Sequence, residues 1–591
     1  VHKWMLKNTK IDYKQMAKEL QVTEVLCKVM VNRGINNQDD AYNFLNPDIN
    51  KLHSPFLLKG MEEGVNLLKE KIKNNKKIRI IGDYDVDGVI STYVLYTALS
   101  QCGAEVDYEI PHRIEDGYGI NISMIEAAHE AGVDTIITCD NGIAAIDQIQ
   151  YAKDLGLTVI VTDHHEVPFV EDEEGKRTYI CPPADVIINH KQLDCQYPFK
   201  YLCGAGVVYK LAQVLFQEMG TAHMDSLLKD LLQFVAIATV CDVVDLIDEN
   251  RVIVKKGLEL INNTNNIGLQ ALIKAAALEG KKISCYTLGF VIGPCINASG
   301  RLDYAKKGLE LLLTKSLVEA EALAKELYQL NEERKEMTIA GVEEIIETIE
   351  TTSVTKDKVF VVYKSGIHES IAGIIAGRIK DKYHVPTIIL TDAEEGVKGS
   401  ARSIEGYNMF EELLKCKDLL TKFGGHPMAA GLSLMPDRIE EVRERLNKLT
   451  TLTDEDLVPK IYIDAHLPLE RISLELAESL ETLEPFGKGN SKPLFAEKEI
   501  KLASAQILGA NKNVLKLKLI SRRGRLIDGI FFGNIPDFEK LVVDQFGQLQ
   551  LNQLYNGKSN NIKLDFIYTI GINEFRGNKS VQIVIQHYRA N

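Results

Sequence analysis

Three short apolar runs, each ending in an aspartate, constrain this chain more than any other feature. They are KIRIIGD (77–83), VDTIITCD (133–140) and LTVIVTD (157–163). Runs this short, rich in Ile, Val and Thr, read as strands buried on both faces. Amphipathic segments at 123–131 and 144–155 read as helices between them. Strands alternating with helices predict a doubly wound α/β domain built on a parallel sheet. In such a sheet the ligand crevice lies beyond the carboxyl ends of the strands. Asp83, Asp140 and Asp163, far apart in the chain, are therefore expected to converge on one edge.

Further donors follow the same strand ends. Asp85 and Asp87 lie in GDYDVDG (82–88), His164 and His165 directly follow Asp163, and Asp242 ends ATVCD (238–242). Clustered carboxylates and imidazoles, with no CxxC pair among the ten cysteines, match a hard or borderline divalent cation such as Mg²⁺ or Mn²⁺. Like charges in one crevice repel, and a cation resolves this. Two cations held together suit phosphoryl hydrolysis. Taken singly, an aspartate after a strand is as readily a helix cap or a turn residue, above all Asp140 before Asn-Gly; the ordered set is far more specific than its parts. The Asp-x-Asp-x-Asp-Gly string also opens a calcium-binding EF-hand loop, but that loop needs a glutamate at its twelfth position, where Val94 stands.

The rest of the chain divides by pattern. The first 50 residues read as short helices. Residues 316–350, rich in Ala, Leu, Glu and Lys and free of Gly and Pro until Gly341, predict a long connecting helix. A second α/β block follows, with strands at 359–363 and 387–391, a helix at 371–379, and glycine-bearing loops at 397–406 and 424–431. Alternating patterns at 514–520, 526–532, 562–570 and 580–587 predict a small β-barrel of OB type. The expected domains are a helical extension (1–50), a catalytic domain (51–303), the connecting helix (304–350), a second α/β domain (351–450) and the barrel (451–591).

Net charge is −14, yet residues 491–591 hold 15 Lys and Arg against 8 Asp and Glu, a balance of +7. A basic module on an acidic body is expected to meet nucleic acid through that module. Lys512, Lys516, Lys518, Arg522, Arg523 and Arg525 fall in one predicted hairpin, and strand alternation puts Lys516 and Lys518 on one face. Scattered cysteines and the absence of an apolar signal core in VHKWMLK point to a cytoplasmic protein. The longest apolar tract, 231–247, is broken by Gln233, Asp242 and Asp245, so no membrane span is expected. A monomer is expected.

GDYDVDG, TCDNG (138–142), DHH (163–165) and ATVCDVV (238–244) resemble, in order, the motifs of the DHH phosphoesterase superfamily. PHRIEDGYG (111–119), LCGAG (202–206), GPCINASGR (293–301), GSARS (399–403), GGH (424–426) and PFGKGN (485–490) resemble the RecJ exonucleases within it, and the likeness runs from FLNP (44–47) to the barrel. The resemblance implies a DHH domain, a connecting helix, a DHH-associated domain and an OB-fold. It implies a single-strand-specific 5′→3′ exodeoxyribonuclease using two Mn²⁺ or Mg²⁺ ions, acting in DNA repair and recombination beside a single-strand-binding protein and a helicase.

By the same resemblance Asp85, Asp87, Asp140, His164 and Asp242 are metal ligands, with Asp83 either a further ligand or a residue behind them. His165 is a phosphate contact or proton donor, and Asp163 orients the histidines. Arg113, Arg301 and Arg402 grip phosphate, joined by Ser400 and His426; His368 matches a family histidine, and Tyr118 stacks on an unpaired base. Cys295 stands where the family has arginine and Ala401 where it has glycine; neither removes a proposed ligand. Two other readings stay open: a DHH phosphodiesterase for short oligonucleotides or cyclic dinucleotides, from which the barrel would set this chain apart, and an inactive replication scaffold, whose mark would be lost metal ligands.

Overall fold

A computed structural model describes residues 2–172, 175–509, 511–575 and 577–590. The chain divides into two compact units, 49–459 and a second that joins 1–48 to 460–591.

The first unit contains the parallel sheet. Its strands lie in the order Val106–Glu109, Ile78–Ile81, Thr135–Cys139, Thr158–Thr162, Val186–Ile188, all parallel. The chain leaves Ile78–Ile81 for one neighbour and returns past it to the other. The crevice of such a sheet opens between those two connections, just beyond Ile81 and Cys139. Helices Val86–Gln101 and Gly204–Met219 cover one face, and Ile122–Glu130 and Ile146–Asp154 form a separate apolar layer with Ile81, Ile136, Val159 and Val161. Four of the five strands are buried almost throughout, and three of these, Ile78–Ile81, Thr135–Cys139 and Thr158–Thr162, are the unbroken apolar runs of the sequence.

The long helix spans Leu317–Thr351, its first turn capped by the Ser316 hydroxyl, which accepts from Glu319 N at 3.3 Å. Beyond it a second sheet has the order Lys422–His426, Ala429–Leu434, Val397–Arg402, Thr387–Asp392, Phe360–Tyr363. Here the sequence expectation needs correcting: 397–402 and most of 424–431 are strands, not loops. Glycine is depleted in strands for want of side-chain packing, but this sheet uses it where neighbours leave no room. A Cβ on Gly399 would stand 2.4 Å from Leu390 Cδ2, and one on Gly425, at φ +151°, 2.4 Å from the Ala429 carbonyl oxygen.

In the second unit a barrel closes through Phe495–Leu508, Val514–Ile520, Leu526–Phe531, Asn578–Arg589 and Lys563–Phe575, the last pairing back to the first. Two helices, Ile535–Phe546 and Gln548–Tyr555, lie between its third and fourth strands in sequence. The N-terminal helices Tyr13–Leu20 and Glu24–Val31 share one apolar core with the barrel, and strand Lys3–Leu6 pairs in parallel with Lys460–Ile463. Among the described residues no helix is long and apolar enough to cross a membrane.

Candidate active site

The strand ends deliver their acids as the sheet requires. One atom from each of Asp83, Asp85 and Asp140 lies within 4.8 Å of the others, and the same holds for Asp87, His164 and Asp242. The two trios touch where His164 Nε2 stands 3.0 Å from Asp140 Oδ1. Asp242 comes from the end of helix Met224–Cys241, so a third layer closes the site.

Local structure fixes each side chain. Asp85 caps helix Val86–Gln101, accepting from Gly88 N at 3.0 Å, while the Asn297 side chain accepts from Val86 N at 3.1 Å. The Asp87 carboxylate accepts from Gly204 N at 2.6 Å and Ala205 N at 2.9 Å, at the positive end of helix Gly204–Met219. That helix end comes close because residue 204 is glycine: a Cβ there would lie 2.7 Å from Asp140 Cβ. Asp140 itself sits at φ +62°, a left-handed conformation that Asp tolerates better than most residues, and Asn141 ties its turn to the carbonyls of Ile81 and Cys139.

The electrostatics separate two kinds of acid. Asp163 is fully buried but accepts from His164 N, His165 N, His165 Nδ1 and Ile143 N at 2.7–3.2 Å. Burial opposes its charge, but the His165 charge and hydrogen bond bring it down to about 2. Asp83 has only the Tyr84 N–H and the charges of His165 and Arg113 against its burial, too little to offset it. Burial first, then Asp85 in the case of Asp83 and the charges of Asp87, Asp85 and Asp242 in the case of Asp140, raise both well above the carboxylate range. Burial and Asp85 bring Asp87 up to about 6. His164 is pushed down to about 3 by burial and by His165, so its ring is neutral with a lone pair to give. Burial also disfavours the His165 cation, but Asp163 outweighs it and raises that ring to about 9.

A divalent cation fits this donor set. Asp83 Oδ1, Asp140 Oδ1 and His164 Nε2 are buried without a hydrogen-bond partner. The 3.0 Å approach of the last two lacks hydrogen-bond geometry, so neither group satisfies the other. Orphaned buried acceptors are costly unless something positive completes them. The donors brought together are oxygens and one imidazole nitrogen; the adjacent Cys139 thiol, raised to about 12 by burial, stays protonated.

Beside the cluster a cleft of ≈ 370 Å³ opens between the two sheets of the unit, lined on one side by Tyr84, Arg113 and Tyr118 and on the other by Ser370, Lys398, Ser400 and Lys422. Arg113 lies over the Tyr84 ring at 4.7 Å. Arg301 is held below its ordinary value by burial and by Arg113 and Arg334, and Arg402 likewise by burial and Arg113. Arginines crowded this way are completed by an anion. The Tyr118 hydroxyl donates to the Asp140 carbonyl at 2.8 Å and lies 3.3 Å from both His165 ring nitrogens, leaving its ring half exposed.

Other candidates sit apart from the cleft lining. His368 caps helix Glu369–Tyr383, its Nδ1 2.7 Å from Ser370 Oγ, and His426 is exposed on strand Lys422–His426. In the barrel hairpin, Lys516 and Lys518 do share a face, where both pair with Asp528 at 2.9 and 2.5 Å. Arg525 donates to the Ile472 carbonyl and Arg522 stands 3.7 Å from Glu497, while Lys512 and Arg523 are exposed. Sequence reasoning missed Tyr84, although it lies inside GDYDVDG, and Asn297, inside GPCINASGR. It also missed Lys398 and Lys422, whose position beside the cleft follows only from strand pairing.

A parallel sheet with this acid cluster beside a cleft lined by Arg113, Lys398 and Lys422 defines a metal-dependent phosphoesterase of the DHH type. The family models agree: DHH family, N-terminal domain, matches residues 77–239, the DHHA1 domain 356–451 and the RecJ OB domain 463–587. The single-stranded-DNA-specific exonuclease RecJ of Bacillus subtilis (strain 168) is 38% identical over 553 residues, covering 92% of this chain and 68% of that protein. Its counterpart from Haemophilus influenzae is 36% identical over 562 residues, covering 92% and 93%. The crystal structure of RecJ from Thermus thermophilus in complex with Mn²⁺ superposes with a TM-score of 0.79 at 25% identity, covering 100% of this chain and 80% of that one. The chain belongs to the RecJ family.

Proposed function

We propose that this protein hydrolyses single-stranded DNA from its 5′ end with two divalent cations, Mn²⁺ or Mg²⁺. The observation that carries the reading is the set of three orphaned buried acceptors, on Asp83, Asp140 and His164, beside a cleft lined with cationic and hydroxyl groups. Asp85, Asp87, Asp140, His164 and Asp242, with Asp83 behind or among them, would hold the metals. Bound there, such ions polarise a phosphodiester and lower the pKa of water. Asp163 fixes both imidazoles. His165, held cationic by Asp163, offers an N–H to a phosphate oxygen or to the departing one. Arg113, Arg301 and Arg402, with Ser400 and Lys398, receive the 5′ phosphate; His368 and His426 flank that side. Tyr118 turns a half-exposed ring toward an unpaired base while its hydroxyl stays anchored. The barrel's basic hairpin engages the strand further along. We further propose that it works in DNA repair and recombination, beside a helicase and a single-strand-binding protein, as a monomer in the cytoplasm; likeness to the RecJ exonucleases supports this reading.

The test is digestion of single-stranded DNA labelled at its 3′ end, with Mn²⁺ or with EDTA. The labelled strand should shorten progressively with metal only, a blunt duplex should survive, and Asp140→Ala should lose at least a hundredfold in rate. Release of the label at the outset would reverse the polarity. Cleavage confined to dinucleotides or cyclic dinucleotides would replace the reading with that of a small-substrate phosphodiesterase.

A further inference from the structure

One surface feature of the catalytic unit serves neither its core nor the site as described. Tyr286 and Phe290 stand four residues apart, stacked with ring centroids 4.9 Å apart and planes at 27°, yet they are 68% and 66% exposed. Aromatic side chains gain by burying their large surfaces, so a stacked pair left in water marks a surface built to be covered. The backbone beneath is unusual too. Leu288–Ile292 forms a π-helical turn, a rare conformation that recurs at functional sites.

That turn is wedged against the catalytic cluster. The Cys241 thiol donates to the Leu288 carbonyl at 3.6 Å, and Gly293 comes so close to Cys241 that a Cβ there would lie 2.3 Å from its sulfur. Asp242 is the next residue. Asp85, Asp87 and Asp242 all lie within electrostatic reach of Cys241, as does Cys285, the neighbour of Tyr286. The chain past the turn runs into helix Gly293–Leu302, which carries Asn297 and Arg301. Val243, directly after Asp242, is 60% exposed at φ +56°, a conformation that β-branched residues almost never adopt. Backbone strain of this kind clusters where function demands it. Arg113 acts on Asp83 and Arg301 on Asp85, while the segment that carries the aromatic pair packs on Cys241, the residue before Asp242.

We propose that Tyr286 and Phe290 form a base-stacking platform that receives an unpaired nucleobase of the substrate strand beside the acid cluster, on the segment that packs against the neighbour of Asp242. A stacking face takes any base but needs that base out of a duplex, so the platform would contribute to single-strand selectivity without reading sequence. The inference rests on the single-stranded-DNA reading given above, and its test separates the two.

The experiment compares wild type with the Tyr286→Ala/Phe290→Ala variant on a 3′-labelled single strand in Mn²⁺, using a substrate series in which one abasic sugar is moved along the strand. Wild-type activity on the unmodified strand checks the underlying reading by itself; its absence would overturn both. With activity present, the variant should raise KM about tenfold and change kcat little, and Tyr286→Phe with Phe290 intact should restore KM. At one or two positions an abasic sugar should raise the wild-type KM by a similar factor and leave the variant's unchanged, because the base and the platform are then each missing only once. Both residues are exposed, so an unchanged melting temperature is expected of the variant. An unchanged KM, or an abasic penalty that is the same in both proteins at every position, overturns the proposal.

Discussion

At the scale of single residues, the site turns on the difference between an acid that is satisfied and acids that are not. Asp163 accepts four hydrogen bonds and touches both histidines, so its task is to hold them. Asp163→Asn keeps the shape but turns an NH₂ group against either Ile143 N–H or the histidine donors. Residues standing behind metal ligands typically cost 10–100-fold in metal affinity or activity when changed. Asp163→Asn is therefore expected to weaken Mn²⁺ binding and kcat by about 10–100-fold, measured by metal titration and initial rates. Wild-type affinity in the variant would show that the imidazoles orient themselves. In the sequence only the family resemblance set Asp163 apart from Asp140 as the residue that orients the histidines; the strand pattern alone did not, because the hydrogen bonds from Ile143, His164 and His165 depend on how the turn closes.

At the scale of elements, what was legible followed from period. Three of the five strands of the parallel sheet and the helix Leu317–Thr351 could be read because their burial is uniform or regularly spaced, whereas Val106–Glu109 and Val186–Ile188 were missed. The strands at Val397–Arg402 and Ala429–Leu434 were missed because close packing there demands Gly and Ala, which carry no alternating signal. The N-terminal helices could be read as helices, but not as part of the barrel's core, since nothing local encodes a contact with a segment more than 400 residues away. Close approach also makes a prediction. Gly204→Ala would set a methyl group 2.7 Å from Asp140 Cβ and push the helix end away from Asp87. Overpacking of this kind costs about 1–3 kcal/mol, so a lowered melting temperature and a larger proportional loss of Mn²⁺ affinity are expected; a loss of stability with normal metal binding would place the strain elsewhere. In the barrel, Asp528 neutralises Lys516 and Lys518 across paired strands. Asp528→Asn should leave both lysines for phosphate, tightening single-strand binding and steepening its dependence on log salt by about 0.7 per added phosphate contact. A salt slope identical to wild type would remove the hairpin from the DNA path.

At the scale of the whole molecule, the acids come from four separate stretches of chain, so folding itself assembles the repulsion. Asp87 is raised to about 6, and Asp83 and Asp140 are raised well above their ordinary value. A carboxyl whose pKa is higher folded than unfolded stabilises the fold while protonated, fully so below the unfolded pKa, and loses that contribution as pH rises through the folded value. The metal-free protein is therefore expected to melt at a lower temperature at pH 8 than at pH 6 in EDTA. A divalent cation binds the ionised form only, so metal binding must expel whatever protons the cluster still holds. Affinity for Mn²⁺ should climb from pH 6 to pH 8, and calorimetry in two buffers of different ionisation enthalpy should register proton release at pH 7. With saturating Mn²⁺ that difference in melting temperature should disappear, because these carboxylates are then ionised in the fold as they already are in the unfolded chain above pH 6, and neither state takes up their protons. A metal-free protein whose melting temperature rises from pH 6 to pH 8, with no proton released on binding, would mean that these carboxylates are ionised and settled without a cation. The case for a metal centre built on Asp83, Asp140 and His164 would then fail, because it is their unmet charge and lone pairs that call for one.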